Sequence, residues 1–178
     1  IDTIELLDNY GTHLLPWQKA TLMRWMAKDE DGRWSNQKNG LLVPRQSGKT
    51  ELALARILGG IILNSEALIF TAQSRDTVEA IKRRLMRFFY DAKPEIRNLL
   101  TDEFDKEPKS LDYVELRNGG RCVFRTRTRS GGLGFTSDTL ILDEAQEMTD
   151  AEEEALRPTI SAGHQQNSQI IYMGTPPT

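Results

Sequence analysis

The sequence predicts an α/β fold: a mostly parallel central sheet flanked by helices. Three observations carry this expectation. The apolar runs Ala67-Leu68-Ile69-Phe70-Thr71 and Thr139-Leu140-Ile141-Leu142 are continuous rather than alternating, as in strands covered on both faces. Segments with helical apolar spacing separate such runs, so strands and helices alternate along the chain. Finally, Leu41-Leu42-Val43 leads into a short polar loop that closes on Gly48-Lys49-Thr50, and an apolar-periodic segment begins at once. That order is strand, loop, helix.

Taken in order, Pro16 to Ala27 reads as a helix, with proline suited to its first turn and Gln18, Leu22 and Trp25 on one face. Asp29 to Gly40 is polar and turn-rich, a loop or short hairpin ahead of the first core strand, Leu41 to Val43. Thr50 to Leu63 is the helix after the loop, turning Leu54, Leu58, Ile61 and Ile62 to the sheet. After the strand Ala67 to Thr71, Asp76 is expected to cap a long helix, with Glu79 as its box partner and Val78, Ile81, Leu85 and Phe88 as its apolar stripe. Pro94 ends it, and Leu99 to Ser110 is charged and irregular. Asn118-Gly119-Gly120, between Val114-Glu115-Leu116 and Arg121 to Arg125, is a hairpin signal. The strand Thr139 to Leu142 runs into Asp143-Glu144. A short acidic helix around Ala151 to Leu156 follows, closed by Pro158, and a last strand, Gln169 to Met173, reaches Gly174-Thr175-Pro176-Pro177.

With 178 residues, 38% of them hydrophobic and 28% charged, the chain is sized for a single globular domain. No apolar run approaches the roughly 20 residues of a membrane span. The longest, Ile57 to Leu63, is interrupted by Gly59-Gly60. A lone cysteine, Cys122, excludes an internal disulfide, suits a reducing compartment and reads as a small residue inside a strand. The net charge of −3 does not advertise a nucleic-acid binder. The sum hides a polarity, however. Leu116 to Ser137 holds no acidic residue but has arginines at 117, 121, 125, 127 and 129, and Asp143 to Glu154 reverses the sign.

The chemistry-bearing residues fall in two places. A loop feeding a helix N-terminus presents backbone N–H groups to an anion. In the loop ending Gly48-Lys49-Thr50, Lys49 is expected to reach the β- and γ-phosphates of a nucleotide and the Thr50 hydroxyl to hold Mg²⁺. The first glycine of the general pattern is replaced by Val43. The second place is the end of Leu140-Ile141-Leu142-Asp143-Glu144, where open α/β sheets set their ligand contacts. Asp143 there is expected to orient the Mg²⁺ shell, and Glu144 to polarise an attacking water. His13 and His164 have no partners at metal-ligand spacing.

These residues resemble the P-loop ATPases with an additional strand and a catalytic glutamate, of the RecA-like type. Asp143-Glu144-Ala145-Gln146 by itself also resembles the box of superfamily 2 helicases, and a helicase or translocase motor domain is the alternative. Three features tilt the resemblance to the large terminase subunit of tailed double-stranded DNA phages. Val43-Pro44-Arg45-Gln46-Ser47-Gly48-Lys49-Thr50, with an internal arginine and no first glycine, is similar to the terminase form of the loop. Leu15-Pro16-Trp17-Gln18 stands where the family reads adenine, and Gly174-Thr175-Pro176 stands where it carries its coupling motif.

The resemblance implies Mg²⁺-dependent ATP hydrolysis that drives double-stranded DNA into a procapsid. The last strand is then expected between the loop strand and the Asp-Glu strand, so that Gly174 faces the γ-phosphate. Gln18 contacts adenine with Trp17 nearby, and Arg45, Gln46, Ser47, Gly48, Lys49 and Thr50 surround the phosphates. Arg45 contacts the γ-phosphate in cis or forms a structural salt bridge. Arg129 is the candidate arginine finger for a neighbouring subunit's site, with Arg127 and Arg125 as alternatives. DNA contacts, to phosphates rather than bases, are assigned to Arg83, Arg84 and Arg87 or to Arg121 and Arg125, against the alternative of a solvated charged face. The implied partners are DNA, the portal protein, the small terminase subunit and further copies in a ring, with the isolated domain monomeric and no membrane involved. The implied location is the host cytoplasm, at the procapsid portal. The chain is expected to be one ATPase domain, 1–178, a fragment without the family's nuclease domain and so without nuclease activity.

Overall fold

The computed structural model describes residues 2–102, 104, 112–127, 136–161 and 166–177. Its centre is a six-stranded sheet formed by β1 (Lys38–Leu42), β2 (Ala67–Ala72), β3 (Tyr113–Glu115), β4 (Arg121–Thr126), β5 (Thr139–Leu142) and β6 (Gln169–Gly174). The spatial order is β1-β6-β5-β2-β4-β3, parallel except for the β3–β4 hairpin at one edge. The last strand therefore lies between β1 and β5, as the resemblance implies.

Alternation through the sheet divides the core. Leu68, Phe70, Cys122, Phe124, Ile141, Ile171 and Met173 join a large cluster with the helices α1 (Thr3–Asn9), α2 (Pro16–Trp25), α3 (Lys49–Leu63) and α4 (Arg75–Asp91). Ile69, Val123, Leu140 and Leu142 face the other way, onto Leu156 and Ile160 of α6 (Asp150–Ser161). Both faces are covered, which is why β2 and β5 are buried at every position.

α3 is the axis of the larger layer. It packs on the sheet and touches α1, α2 and α4, so Leu52 to Ile61 are buried on all sides rather than along one stripe. Gly59 permits this, since a Cβ there would come within 2.3 Å of Thr3 Oγ1 on α1. Arg56, also fully buried, donates to Glu66, Gln169 and Thr139 and lies 4.8 Å from the Trp34 ring centroid. Glu66 precedes β2, while Thr139 and Gln169 begin β5 and β6. This polar knot therefore ties the N-terminal ends of the strands.

Several boundaries depart from the sequence reading. β1 starts at Lys38 because it is an edge strand paired only with β6, where alternating exposure tolerates polar residues. A bridge between Lys28 and Trp34 supplies the short hairpin before it. Among the described residues, α1, capped by the Asp2 carboxylate accepting from Glu5 N–H at 2.8 Å, and the single turn α5 (Pro94–Arg97) have no counterpart in the sequence reading. Ser74, not Asp76, caps α4, because its hydroxyl accepts from the Asp76 N–H at 3.1 Å. The α4 stripe uses Phe89, with Phe88 only partly buried. Pro158 lies inside α6 and does not close it. The proline sits on the exposed face, and buried Thr159 and Ile160 hold the next turn to the sheet.

Candidate active site

The C-terminal ends of β1, β5 and β6 meet at an open cleft of about 710 Å³. Its floor is the loop between β1 and α3. Val43 N–H donates to the Gly174 carbonyl at 3.3 Å, continuing the β1–β6 ladder one residue past the strand. The loop then turns through left-handed backbone at Gln46 (φ 59°) and Gly48 (φ 92°), with Ser47 Oγ donating to the Pro44 carbonyl at 2.6 Å. Val43 has no positive φ, so the glycine of the general pattern is not needed at that position.

Gly48 is needed. Besides its φ, it lies against Gln18, whose Nε2 would stand 2.5 Å from a Cβ at 48. Gln18, from the first turn of α2, is itself buried: Nε2 donates to the Gly48 carbonyl at 2.9 Å, and Oε1 accepts from Leu15 N–H at 2.7 Å. In this structure Gln18 braces the loop. Trp17 beside it is partly buried against the core.

Lys49, the first residue of α3, reaches across to two strand ends. Its Nζ lies 3.3 Å from Asp143 Oδ1 and donates to Thr175 Oγ1 at 3.1 Å. The ion pair is well shielded, with 12% and 5% of the two side chains exposed, so solvent screens it little. Thr50, Arg45 and Glu144 line the same cleft. Arg45 is exposed at its mouth and has no hydrogen-bond or ion-pair partner among the described residues. The site thus brings together basic side chains, carboxylates, threonine hydroxyls and the N-terminus of a long helix. That combination suits a polyanion and a hard cation bound together.

Glu144 carries the most unusual backbone. It has φ 51° and ψ 47°, left-handed, at the turn from β5 into the 3-10 turn Ala145–Glu147. A non-glycine residue held so costs of order 1–3 kcal/mol and persists only when its surroundings enforce it. Asp143 Oδ1 accepts the Glu144 N–H at 2.9 Å. Gln146 adds a link that the sequence reading does not contain: its Oε1 accepts from Thr175 N–H at 3.2 Å, joining the Asp-Glu turn to the segment after β6. The fourth place of Asp143-Glu144-Ala145-Gln146 is the signal that could have found it. Pro176 follows Thr175, partly buried.

The arginines separate. Arg129 and the segment 128–135 lie outside the described residues. Arg127 does not project from the molecule: it is 7% exposed and donates to main-chain oxygens around β5, which removes it as a finger for a neighbouring subunit. Burial pulls its guanidinium below the ordinary arginine range, opposed by the carboxylates of Glu152, Asp143, Glu144 and Glu147. Arg125 pairs with Asp112 at 3.4 Å, and Arg121 Nη2 donates to the Thr136 carbonyl at 3.4 Å. Arg84, one of the candidates for DNA, instead lines the cleft, paired with Glu51 in the first turn of α3. Arg83 and Arg87 are exposed on α4, Arg87 pairing with Asp91 at 3.2 Å.

Comparison with known proteins places this geometry. Residues 41–178 match the family described as terminase large subunit, T4likevirus-type, N-terminal. No curated protein sequence matches the chain. Among solved structures, the large terminase of bacteriophage HK97 is similar with TM-score 0.77 at 16% identity, over 97% of this chain and 36% of that one. The large terminase ATPase domain of Thermus phage P74-26 is similar with TM-score 0.66 at 19% identity, over 97% of this chain and 69% of that one. The large terminase of a thermophilic bacteriophage, in complex with ADP, is similar with TM-score 0.61 at 13% identity, over 89% of this chain and 38% of that one. At these identities the likeness concerns the fold, and the chain spans about a third of the HK97 protein's length.

Proposed function

Because the chain belongs to the N-terminal family of terminase large subunits of the T4likevirus type, we propose that it hydrolyses ATP to drive double-stranded DNA into a procapsid. One observation carries the hydrolytic part: Lys49, Asp143, Glu144 and Thr175 converge at neighbouring strand ends over the N-terminus of α3. The terminase of the thermophilic bacteriophage, solved with ADP and with ATP-γ-S, supports ATP as the substrate. The family match favours this reading over a superfamily 2 helicase.

In the proposed reaction the phosphates lie along the loop, on its N–H groups and Lys49. Glu144 takes a proton from a water as the water oxygen forms its bond to the γ-phosphorus. The bond between that phosphorus and the β,γ-bridging oxygen breaks, releasing ADP and inorganic phosphate. The Thr50 hydroxyl and the Asp143 carboxylate are hard oxygen donors facing the same cleft, a donor set that fits Mg²⁺. Bound there, the ion would neutralise charge on the β- and γ-phosphates. Arg45 at the mouth would meet the γ-phosphate, and the second Nε2 proton of Gln18 would be its contribution to the adenine edge. Thr175, bonded to both Lys49 and Gln146, would sense loss of the phosphate and pass it along β6.

Work on DNA would take place in a ring of copies at the portal, in the host cytoplasm, with the small subunit delivering DNA. Arg129 is the proposed donor to a neighbour's site, and the exposed Arg83 and Arg87 are candidates for DNA phosphates. ATP turnover by the chain beside Glu144→Gln tests the chemistry. The variant is expected to bind nucleotide and to lose turnover by a factor of about a hundred or more. Equal rates would remove Glu144 from the mechanism.

A further inference from the structure

Arg127 stands one residue beyond β4, and its guanidinium is committed to the main chain of the Asp-Glu turn. Nη1 donates to the Asp143 carbonyl at 2.6 Å, and Nη2 to the Glu144 carbonyl at 3.1 Å. Nη1 also lies 3.4 Å from the carbonyl and from the hydroxyl oxygen of Thr71, in β2. Its own N–H donates to the Ala72 carbonyl at 3.0 Å, so the side chain springs from backbone already anchored to β2. One planar group thus spans the ends of β2, β4 and β5, and it grips two successive carbonyls at the residue pair the reaction depends on.

We propose that Arg127 is a positioning residue for hydrolysis: its fork holds the Asp143 and Glu144 carbonyls so that Glu144 stays left-handed and its carboxylate stays in the phosphate cleft. The inference rests on the proposed role of Glu144 as the group that activates water.

The backbone at Glu144 explains why such a device is needed. A side-chain-bearing residue at φ 51° relaxes to an extended or right-handed conformation unless both its peptide groups are restrained. The peptide before it is restrained on both sides: its N–H by Asp143 Oδ1, and its oxygen, the Asp143 carbonyl, by Arg127. The peptide after it is restrained through the Glu144 carbonyl, which accepts from Arg127 and from the Glu147 N–H at 3.0 Å. Removing the guanidinium frees one hold on each peptide. Rotation of these peptides would swing the Glu144 side chain relative to Asp143, whose own N–H stays bonded to the Thr71 carbonyl at 2.8 Å. A displacement near 1 Å at a reacting group costs about a hundredfold in rate. A lysine keeps the charge but presents a point donor and cannot hold two carbonyls as a planar fork.

A purely structural weld of three strands would show in stability and would reduce nucleotide affinity and turnover together. A positioning role shows in turnover alone. The test is single-turnover ATP hydrolysis and fluorescent-ADP binding on the intact chain, for the unaltered protein, Arg127→Gln, Arg127→Lys and Glu144→Gln. Arg127→Gln is expected to slow hydrolysis by about a hundredfold while ADP affinity stays within about twofold. Arg127→Lys should fall between it and the unaltered protein. Hydrolysis by Arg127→Gln within about threefold of the unaltered rate, or a loss matched by lost ADP affinity, overturns the proposal. If the glutamine variant does not fold, the lysine variant decides, by slowed hydrolysis at unchanged affinity or by an unchanged rate. Were Glu144→Gln to hydrolyse ATP normally, the hydrolytic reading would fall and this inference with it. An inactive Glu144→Gln beside an active Arg127→Gln would overturn the inference alone.

Discussion

Replacing Glu66 by glutamine is expected to destabilise the protein by about 3–5 kcal/mol while leaving the cleft intact. Both carboxylate oxygens of Glu66 are fully used. Oε1 accepts from Arg56 Nη1 and Asn64 Nδ2, each at 3.2 Å, and Oε2 accepts from Arg56 Nη2 at 2.8 Å and Thr139 Oγ1 at 2.7 Å. An amide in the same volume turns one of those acceptors into a donor, whichever way it is flipped. It also leaves the Arg56 charge, with 0% of its side chain exposed, without its counter-charge. Gln169 and the Trp34 ring still contact the guanidinium, which places the expected loss toward the lower end of the range. For a domain of this size, each kcal/mol lowers Tm by about 2–4 °C. The fall should therefore be about 6–20 °C, measured by thermal and urea denaturation followed by circular dichroism. Replacing both partners with apolar residues, Arg56→Met with Glu66→Leu, should cost less than the single change. ADP affinity below the transition should be unaltered, because the knot lies at the N-terminal ends of the strands and the cleft at the C-terminal ends. A loss below about 1 kcal/mol for Glu66→Gln would refute the reasoning, since that is the scale of an ordinary neutral hydrogen bond.

Gly48→Ala combines a left-handed backbone, costing about 1–2 kcal/mol for alanine, with a Cβ placed 2.5 Å from Gln18 Nε2. Its ADP affinity should fall about tenfold or more in a fluorescence titration. Adding Gln18→Ala to that variant should cost little more, because the contact it removes is already broken. Unchanged affinity in Gly48→Ala would show that the loop does not need this backbone. Burial drives the Cys122 thiol far above its ordinary range, so the native protein should resist Ellman's reagent. Reactivity should appear in urea with the midpoint seen by circular dichroism. Rapid stoichiometric labelling of the folded protein would contradict the packing of β4 between β2 and β3.

The parts of the fold legible in the sequence are those whose cause is local. β2 and β5 declare themselves because strands covered on both faces have no room for polar residues. The β3–β4 hairpin follows from Asn118-Gly119-Gly120, with Gly119 at φ 87°. β1 reads short because an edge strand looks like a loop until its neighbour is known, and that neighbour, β6, comes more than 120 residues later. α1 is too short to show a period, and what holds it, burial of Leu6 and Leu7 and the close approach of Thr3 to Gly59, lies in remote contacts. Pro158 misleads because one residue does not decide where a helix ends. Burial of Thr159 and Ile160 carries the helix through it.

In the site, the split has a physical pattern. Lys49, Thr50, Asp143 and Glu144 are legible because the contacts proposed for them, to phosphate, Mg²⁺ and water, each call for a particular functional group at a helix start or just past a strand end. What holds those groups is not legible, because it consists of contacts between segments remote in sequence. Gln18 on Gly48, Gln146 on Thr175 and Arg127 on the Asp143 and Glu144 carbonyls all use polar side chains that sequence alone leaves open to solvent or ligand. Val43 shows the same division from the other side. Its departure from the general loop pattern looks like a defect, yet the left-handed positions fall on Gln46 and Gly48, and Val43 simply extends β1 along β6. The loop tolerates valine because β6 lies directly beside it. That adjacency also places Thr175 within reach of Lys49, so the feature that relaxes the motif and the contact proposed to report on the phosphate have one structural cause.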